Sequence, residues 1–414
     1  MPSIKTNPSE PAAAPAQREP LAAPARRAAA EPRTRRDVAE PRTRRDAVEP
    51  RTRRDVAEPR TRRDVVEPRA RRGHGRVTLQ QVAQQAGVTS ITVSRFLREP
   101  QVVAAATALR IQAALADTGY VPNKQAGHLA SGQSRMVAAI IPSIAHSIFA
   151  ETVQGLSDTL QASGYELLLA STGYSLEREE EQIRAVLGWF PSALVVTGRH
   201  HTAGALGLLR AAQAGRTPVV EVWDQHPGAE ADGFSQIGFN HEAVGRAMAR
   251  HLLSLGHRRL AYVDSGVVED FRAHERGAGF VAAAKAKGAS VRLIQSPRGE
   301  AFDAGRAALR ELLAGDGGAV TAAAFANDHL ACGALLEAQA RGLAVPGQLA
   351  LLGFGDFAIS RQLQPALSTV SPPRYEIGVE AARALLNALG SGDPPAHRAL
   401  KWQMLLRGST VPGA

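Results

Sequence analysis

Two hydrophobic patterns follow one another along this chain after residue 76. Between residues 77 and 134 the apolar positions recur at helical spacing, which predicts several short helices. From residue 135 onward, short apolar runs alternate with amphipathic segments. Apolar strands separated by helices predict parallel sheets covered on both faces, an α/β fold. The strand candidates are Met136–Ile141, Glu166–Ser171, Ala193–Thr197, Pro218–Val222, Gln236–Phe239, Arg259–Val263, Ser290–Gln295, Ala322–Ala326 and Leu349–Phe354, with helices such as Ala150–Ser163 and Glu242–Leu255 between them.

The first helical stretch has the pattern of a helix-turn-helix. Thr78 and Gln81 can form a capping box at the start of one helix. Gly87 can adopt a positive φ and end that helix. Thr89 can then cap a second helix, in which Val93 lies on the buried side. The pattern predicts a DNA-binding motif, although an ordinary helical hairpin in a protein core is the alternative.

In such a motif the second helix enters the major groove with its first residues against base edges. A third helix is expected over Val103–Tyr120, followed by a polar segment, residues 123–134, whose one large apolar residue is Leu129. The residues expected to contact DNA in the motif are Thr78, Thr89, Ser90, Ile91, Thr92, Ser94 and Arg95.

Residues 77–134 closely resemble the headpiece and hinge of the lac repressor/galactose repressor family. The resemblance implies a hinge helix, residues 123–134, that folds on the operator and inserts a leucine into the minor groove. Leu129 matches that leucine and Ala130 follows it as in the family, so Asn123, Leu129 and Ala130 are further expected DNA contacts. A flexible linker with an incidental leucine is the alternative.

The resemblance extends to about residue 410. It implies two α/β lobes linked by three crossovers, as in periplasmic sugar-binding proteins, in a homodimer that binds double-stranded operator DNA. Within the family, the gluconate-operon repressors are most similar. The supporting motifs are Arg276–Phe280 (RGAGF), Phe325–Asp328 (FAND), Leu349–Phe354 (LALLGF) and Leu367–Val370 (LSTV) for the family, and Thr92–Arg98 (TVSRFLR), Phe149–Glu151 (FAE), Gly173–Tyr174 and Val219–Glu221 (VVE) for the branch.

The predicted domains are an Arg- and Pro-rich arm (1–76), a headpiece (77–122), a hinge (123–134) and a two-lobed sensor (135–414). The net charge of +10 lies mostly in the arm, where 20 Lys and Arg face 11 Asp and Glu. The single cysteine, Cys332, excludes an intramolecular disulfide and is expected to be a buried apolar residue. No apolar run reaches membrane-spanning length and no signal-peptide core is present, so we expect a cytoplasmic protein that does not bind membranes.

The candidate effector site follows from the rule that ligands bind at the carboxyl ends of parallel strands. Arg199 and Glu221 follow predicted strands, but they are not among the main candidates. A guanidinium can bind a carboxylate through two hydrogen bonds, and sugar hydroxyls need polar acceptors, so a sugar acid such as gluconate or 6-phosphogluconate is the expected effector. The resemblance places the family's ligand arginine at Arg276 and its acid at Asp328. The full set is Ser143, His146, Phe149, Tyr174, Trp223, Asp224, Arg276, Asp328 and Asp356.

No catalytic set accompanies these residues. The histidines have no metal-ligand spacing, no G-x-G-x-x-G opens a helix and no G-x-S-x-G is present, so we expect no metal, no cofactor and no enzyme. A sugar-binding protein, a sugar-acid enzyme, a regulator of another sugar or sugar phosphate, and an activator of transcription are the alternatives.

Some positions depart from the family. Ala104 and Ala108 replace the usual polar residues at the start of the third headpiece helix, so a cap is missing there. Gly127 lies within the hinge, where it costs about 1 kcal/mol relative to alanine in a helix. His146 and Gly355 replace an Asn and an Asp near the ligand.

The arm contains a nine-residue unit, EPRTRRDVA with small changes, that begins at Glu31, Glu40, Glu49, Glu58 and Glu67. A proline in every unit prevents a continuous helix and almost nothing apolar is available for a core, which predicts disorder. The fifteen arginines of the repeated units are expected to attract DNA phosphates. An in-frame expansion without function, or a translation start downstream, is the alternative.

Deletion of residues 1–76 tests the arm. Because each phosphate contact releases counterions, the deletion is expected to weaken nonspecific DNA binding and to flatten the dependence of log K on log[salt] by at least about 1. Fluorescence anisotropy on a random duplex at several salt concentrations measures both. An unchanged salt slope would rule out the contribution of the arm.

Overall fold

The computed structural model describes residues 77–122, 134–144, 148–226, 233–315 and 319–411. The arm, the expected hinge contacts Asn123, Leu129 and Ala130, and the site candidate His146 lie outside the described residues.

The headpiece contains three helices, α1 (Leu79–Ala86), α2 (Ser90–Arg98) and α3 (Ala105–Thr118), with a 3-10 turn at Pro100–Val102. The helices pack around one apolar cluster. Val82 and Val93 are fully buried there, as is Ile111 of α3. The two short helices therefore gain their stability mainly from a shared core, since isolated helices of this length are marginal in water.

The headpiece helices begin and end at the expected residues. Thr78 and Gln81 form the capping box, and Gly87 has a φ of 64° at the end of α1. The Thr89 side chain accepts from the Thr92 N–H and caps α2. The third helix is shorter than the expected Val103–Tyr120, because the 3-10 turn precedes it, and Ala104 provides no side-chain cap.

The sensor contains two six-stranded sheets with corresponding strand orders. These are β11-β5-β4-β3-β1-β2 in lobe 1 and β12-β10-β9-β8-β6-β7 in lobe 2. Their strands are parallel except for β12, which pairs antiparallel with β10. The strands of lobe 1 are β1 (Met136–Ile141), β2 (Glu166–Ser171), β3 (Ala193–Thr197), β4 (Val219–Asp224), β5 (Ser235–Phe239) and β11 (Arg398–Ala399). Those of lobe 2 are β6 (Arg259–Asp264), β7 (Ser290–Gln295), β8 (Ala322–Phe325), β9 (Ala350–Phe354), β10 (Ser368–Ser371) and β12 (Gln403–Leu405).

Helices cover both sheets, and their apolar sides form the remainder of the core. Among the described residues, no helix has the length and apolar character that a membrane span requires. The sensor helices are α4 (Ala150–Ala162), α5 (Leu176–Leu187), α6 (Ala203–Ala214), α7 (His241–Ser254), α8 (Phe271–Lys285), α9 (Ala301–Ala314), α10 (Asp328–Ala340) and α11 (Arg374–Ser391).

The chain passes between the lobes three times, as the family resemblance implies. The passages run from β5 to α7, from β10 to α11 and from β11 to β12. Helix α11 returns to lobe 1, where it packs on α4. Three segments thus connect the lobes side by side, and one apolar cluster continues from lobe 1 into lobe 2.

The predicted α/β fold is confirmed, and each of the nine predicted strands is present within two residues of its expected bounds. Strands β10, β11 and β12 were not among the strand candidates, because they are short, partly polar and paired with residues far away in the chain. Cys332 is buried as expected, and burial raises the pKa of its thiol to about 12.

Helices α7 and α8 approach each other at a glycine. A Cβ on Gly245 of α7 would lie 1.9 Å from the Arg276 carbonyl oxygen on α8. Such a distance is far inside van der Waals contact, so any side chain at Gly245 would push the helices apart. This contact positions Arg276 relative to α7.

We expect Gly245→Ala to lower the free energy of unfolding by about 1–3 kcal/mol through overpacking. Gly207→Ala is the matched control, because Gly207 lies in α6 with no neighbour within 4 Å of an added Cβ. That control is expected to raise stability by up to about 1 kcal/mol, since alanine loses less entropy in a helix. Urea denaturation of both variants measures the difference, and equal shifts would contradict the close approach.

Candidate effector site and DNA-binding surface

A cavity of about 630 Å³ lies between the two lobes. Its walls are formed where strands of both sheets end. Ser143 and Tyr174 follow β1 and β2 of lobe 1, while Ser265 and Asn327 follow β6 and β8 of lobe 2. The cavity therefore occupies the position expected for a ligand of a parallel α/β fold, and its volume suits a small molecule.

The structure brings five of the predicted effector residues to this cavity, and it places three elsewhere. Asp224 lies behind the wall of lobe 1, and Asp328 and Asp356 lie behind the wall of lobe 2 without bordering the cavity. The five that border the cavity are Ser143, Phe149, Tyr174, Trp223 and Arg276.

Arg276 is a buried cation at the cavity wall, 4% exposed. Its Nη1 donates to His241 Nδ1 at 3.0 Å and its Nη2 donates to the Ala326 carbonyl at 2.8 Å. Its guanidinium carbon lies 3.9 Å from the centre of the Phe354 ring, a cation–π distance. Its Nε has no hydrogen-bond partner, and no carboxylate within the described residues lies at ion-pair distance from it.

His241 is neutral in this arrangement. An arginine can only donate, so His241 Nδ1 must be the acceptor and the ring proton must lie on Nε2. That Nε2 is 3.1 Å from the Trp223 carbonyl oxygen and 3.3 Å from Asp224 Oδ1. Burial lowers the pKa of His241, in agreement with a neutral ring. Asp224 thus supports Arg276 through His241 and has no direct contact with the cavity.

Asp224 is ionised despite its burial. Burial alone would raise the pKa of this carboxyl, but the hydrogen bond from His241 and the nearby charge of Arg272 lower it below its ordinary value. Its Oδ2 also accepts from the Arg199 backbone N–H at 3.0 Å. Asp224 therefore holds the loop after β3 as well as His241.

Aromatic residues form the lobe 1 wall. Trp223 packs edge-on against Phe149, with ring centres 5.2 Å apart, and its indole N–H donates to Thr152 Oγ1 at 3.2 Å. Trp223 and Tyr174 both have positive φ, 75° and 67°. Non-glycine residues with positive φ cost conformational energy and are concentrated at functional sites. The backbone conformation of Trp223 and Tyr174 is therefore consistent with a functional site at this wall.

Asp328 is enclosed within lobe 2 and bonded to protein groups, which the sequence did not indicate. Its Oδ2 accepts from Ser360 Oγ at 2.6 Å and from the Phe357 N–H at 3.0 Å, and its Oδ1 accepts from Thr369 Oγ1 at 2.6 Å. The residue is fully buried. With three protein donors and no exposure, its carboxylate has no free side for an effector hydroxyl.

Asp356 is likewise engaged within lobe 2. Its Oδ1 accepts from Arg407 Nη2 at 2.6 Å and its Oδ2 accepts from Ser371 Oγ at 3.2 Å. The expectation that Asp328 and Asp356 contact the effector is thus corrected by geometry, because both carboxylates hold the loop after β9 against β10 and the C-terminal segment.

Several cavity residues were missed by sequence reasoning. Asn327 borders the cavity next to Asp328 and caps α10, its Oδ1 accepting from the Leu330 N–H at 3.0 Å. The strand-end rule already included this position, but the resemblance directed attention to its neighbour. Arg272 lies one helical turn before Arg276, so i,i+4 spacing could have revealed it. No local signal indicated His329, which is stacked on Phe357 with ring centres 4.4 Å apart.

The headpiece presents its second helix as the sequence predicted. Ile91 is 73% exposed and Arg95 is also exposed on α2, while Val93 and Phe96 face the core. Ser90, Thr92 and Ser94 are partly exposed between them, and Thr78 and Thr89 lie at the starts of α1 and α2. An exposed apolar side chain at the start of a recognition helix suits contact with a thymine methyl group.

The fold and the cavity together define the class of protein, a DNA-binding regulator with a ligand-sensing domain. Residues 78–123 match the family of bacterial regulatory proteins of the lacI type, and residues 249–410 match a periplasmic binding protein-like domain.

Two relatives and one solved structure are similar over most of their length. The transcriptional regulator GntR of Pseudomonas aeruginosa is 39% identical over 343 residues, 82% of this chain and 97% of the relative. GntR of Escherichia coli K12 is 34% identical over 316 residues, 75% of this chain and 91% of the relative. The crystal structure of a LacI family regulator from Silicibacter pomeroyi has a TM-score of 0.74 and 31% identity, and the match covers 81% of this chain and 99% of that one.

The chain belongs to the LacI family of transcription regulators. Because its relatives are regulators, the prediction that it is not an enzyme is confirmed. Proteins of this family bind operator DNA and a small effector.

Asp328→Asn tests the structural position of that carboxylate. The amide would turn one of its acceptors into a donor facing donors, so we expect the free energy of unfolding to fall by about 2–3 kcal/mol. Asp393→Asn, at an exposed position, is expected to change it by less than about 0.5 kcal/mol. Urea denaturation measures both, and unchanged stability of Asp328→Asn with weaker effector binding would return this residue to the effector site.

Proposed function

We propose that this regulator represses genes for the use of a sugar acid, with gluconate as the first candidate, and leaves its operator when the effector binds between the lobes. It acts in the cytoplasm as a homodimer, with Leu129 of each subunit at the operator centre. The headpiece residues Ser90, Ile91, Thr92, Ser94 and Arg95 contact base edges, and Thr78, Thr89, Asn123 and Ala130 contact the DNA around them.

The observation that supports an acidic effector most directly is the buried Arg276 guanidinium. An unpaired cation is costly in a protein interior, and a bound carboxylate would offset that cost through charge-assisted hydrogen bonds. Arg276 borders the cavity, and its buried Nε has no hydrogen-bond partner among the described residues. Arg272 borders the same cavity and adds a second positive charge.

The rest of the cavity suits a polyhydroxy chain. Ser143, Ser265 and Asn327 provide hydroxyl and amide groups, while Phe149 and Trp223 provide apolar faces for C–H groups. The names of the two GntR relatives accord with the gluconate-repressor resemblance. Closure around the effector shifts lobe 1 and lowers operator affinity, and the two binding events are coupled by one free energy.

Arg276→Ala is expected to leave operator binding intact and to weaken the effector by about 100-fold, because it removes one partner of a buried charge pair. Fluorescence anisotropy of the full chain on a labelled upstream fragment, titrated with gluconate and with 6-phosphogluconate, measures operator affinity and release together. Arg246→Ala is the control, since Arg246 lies on the α7 surface and pairs with Glu242. Normal release of the Arg276→Ala variant would remove this residue from the site.

A further inference from the structure

One turn and one helix form a large part of the contact between the two lobes beside the cavity, next to a hydrogen bond from the Leu176 N–H to Glu269 Oε2 at 3.2 Å. The turn is Gly198–His200, which follows β3 of lobe 1, and the helix is the first part of α8 in lobe 2. Arg199 Nη2 lies 2.6 Å from Glu275 Oε1. The His200 ring stacks on Phe271, with ring centres 4.3 Å apart and planes inclined by 24°.

Arg272 completes this contact. It is 8% exposed, and its Nη1 would be only 2.5 Å from a Cβ at Gly198. Gly198 has a φ of 91°, so both the backbone and the space require glycine there. Arg272 also borders the cavity and lies 5.6 Å from the centre of the Phe149 ring. The same side chain therefore contacts the opposite lobe and faces the effector space.

Both partners are held firmly within their own lobes. His201, next to the turn, places its Nδ1 2.8 Å from Glu179 and its Nε2 3.4 Å from Glu221. Burial alone would lower the pKa of His201, but these two carboxylates raise it to about 9. On the other side, α8 packs against α7 at Gly245. A movement of one lobe therefore has to break the contact between them and cannot be absorbed by the turn.

We infer that the Gly198–His200 turn and the Phe271, Arg272 and Glu275 side chains form an interlobe clamp, which sets the fraction of molecules with a closed cleft before the effector arrives. The apparent affinity for an effector is the intrinsic affinity multiplied by the fraction of molecules in the binding-competent state. The clamp therefore adjusts the apparent affinity, although most of its residues do not contact the effector. Arg272 links the two, because an anion bound in the cavity stabilises it in its clamped position. The direction of the DNA response rests on the proposed function, whereas the clamp itself does not.

The test uses the full chain with Arg199→Gln, Glu275→Gln and the double variant, which remove the ion pair and keep side-chain size. Hydrogen exchange of the effector-free protein is expected to rise at residues 197–202 and 268–275 in all three variants. Gluconate affinity, measured by calorimetry, is expected to fall by about threefold to tenfold, the range for a partly exposed ion pair. The double variant is expected to match the single variants, since all three lose the same bond.

Arg383→Gln is the matched control, because it removes a 2.9 Å ion pair with Glu380 within α11, and neither side chain has a described contact with the turn or with α8. Unchanged exchange at both segments, or an equal change in the control, would overturn the clamp. If the wild-type protein does not bind gluconate, the proposed effector is wrong while the exchange measurement still decides the clamp. If gluconate binds and only exchange is unaffected by the variants, the proposed function stands and the clamp does not.

Discussion

The arrangement of the sensor depends on one buried positive charge. Arg276 is held by a carbonyl, by a neutral imidazole and by the face of Phe354, and none of these cancels its charge. The imidazole in turn depends on Asp224, which is ionised in the opposite lobe. Because a buried cation without a counterion is unfavourable, this arrangement supports the proposed anionic effector, and the groups around Arg276 extend across the junction of the lobes. Ligand binding and lobe contact are thus physically linked.

The buried carboxylates around the cavity have different structural roles. Asp224 supports the cation from behind, while Asp328 and Asp356 hold the loop after β9 by accepting from several donors each. Carboxylates whose oxygens already accept hydrogen bonds from protein donors make the wall rigid. The groups that face the cavity are then mainly hydroxyls and amides. The clamp then adds a contact between walls that are already stiff. Rigid lobes move as units when an effector binds between them, whereas deformable lobes would change shape locally and transmit less of the binding free energy.

Sequence reasoning was most accurate where structure is local. Thr78, Gln81, Gly87 and Thr89 begin or end helices through contacts within four residues, and these were identified correctly. The buried strands were also found, because an apolar run bounded by turns has few alternatives in an α/β chain. The short strands β11 and β12 were missed, since their stability comes from pairing with residues more than thirty positions away. Five of the eight described effector candidates border the cavity: the strand-end rule indicated Ser143, Tyr174 and Trp223, and the family resemblance indicated Arg276.

The sequence by itself determined the class of fold, the headpiece, the family and Arg276 as the central cation, because spacing and motif order are properties of the chain. Only the tertiary structure decided which way each side chain at a strand end points. Asn327 and Asp328 are neighbours, yet one borders the cavity and the other is enclosed by Ser360 and Thr369, which lie far along the chain. The partners of Arg199 and Arg272 come from the opposite lobe, so no local pattern could reveal them. Long-range packing selects the partners of a polar group, and those partners decide whether it binds a ligand or supports the wall.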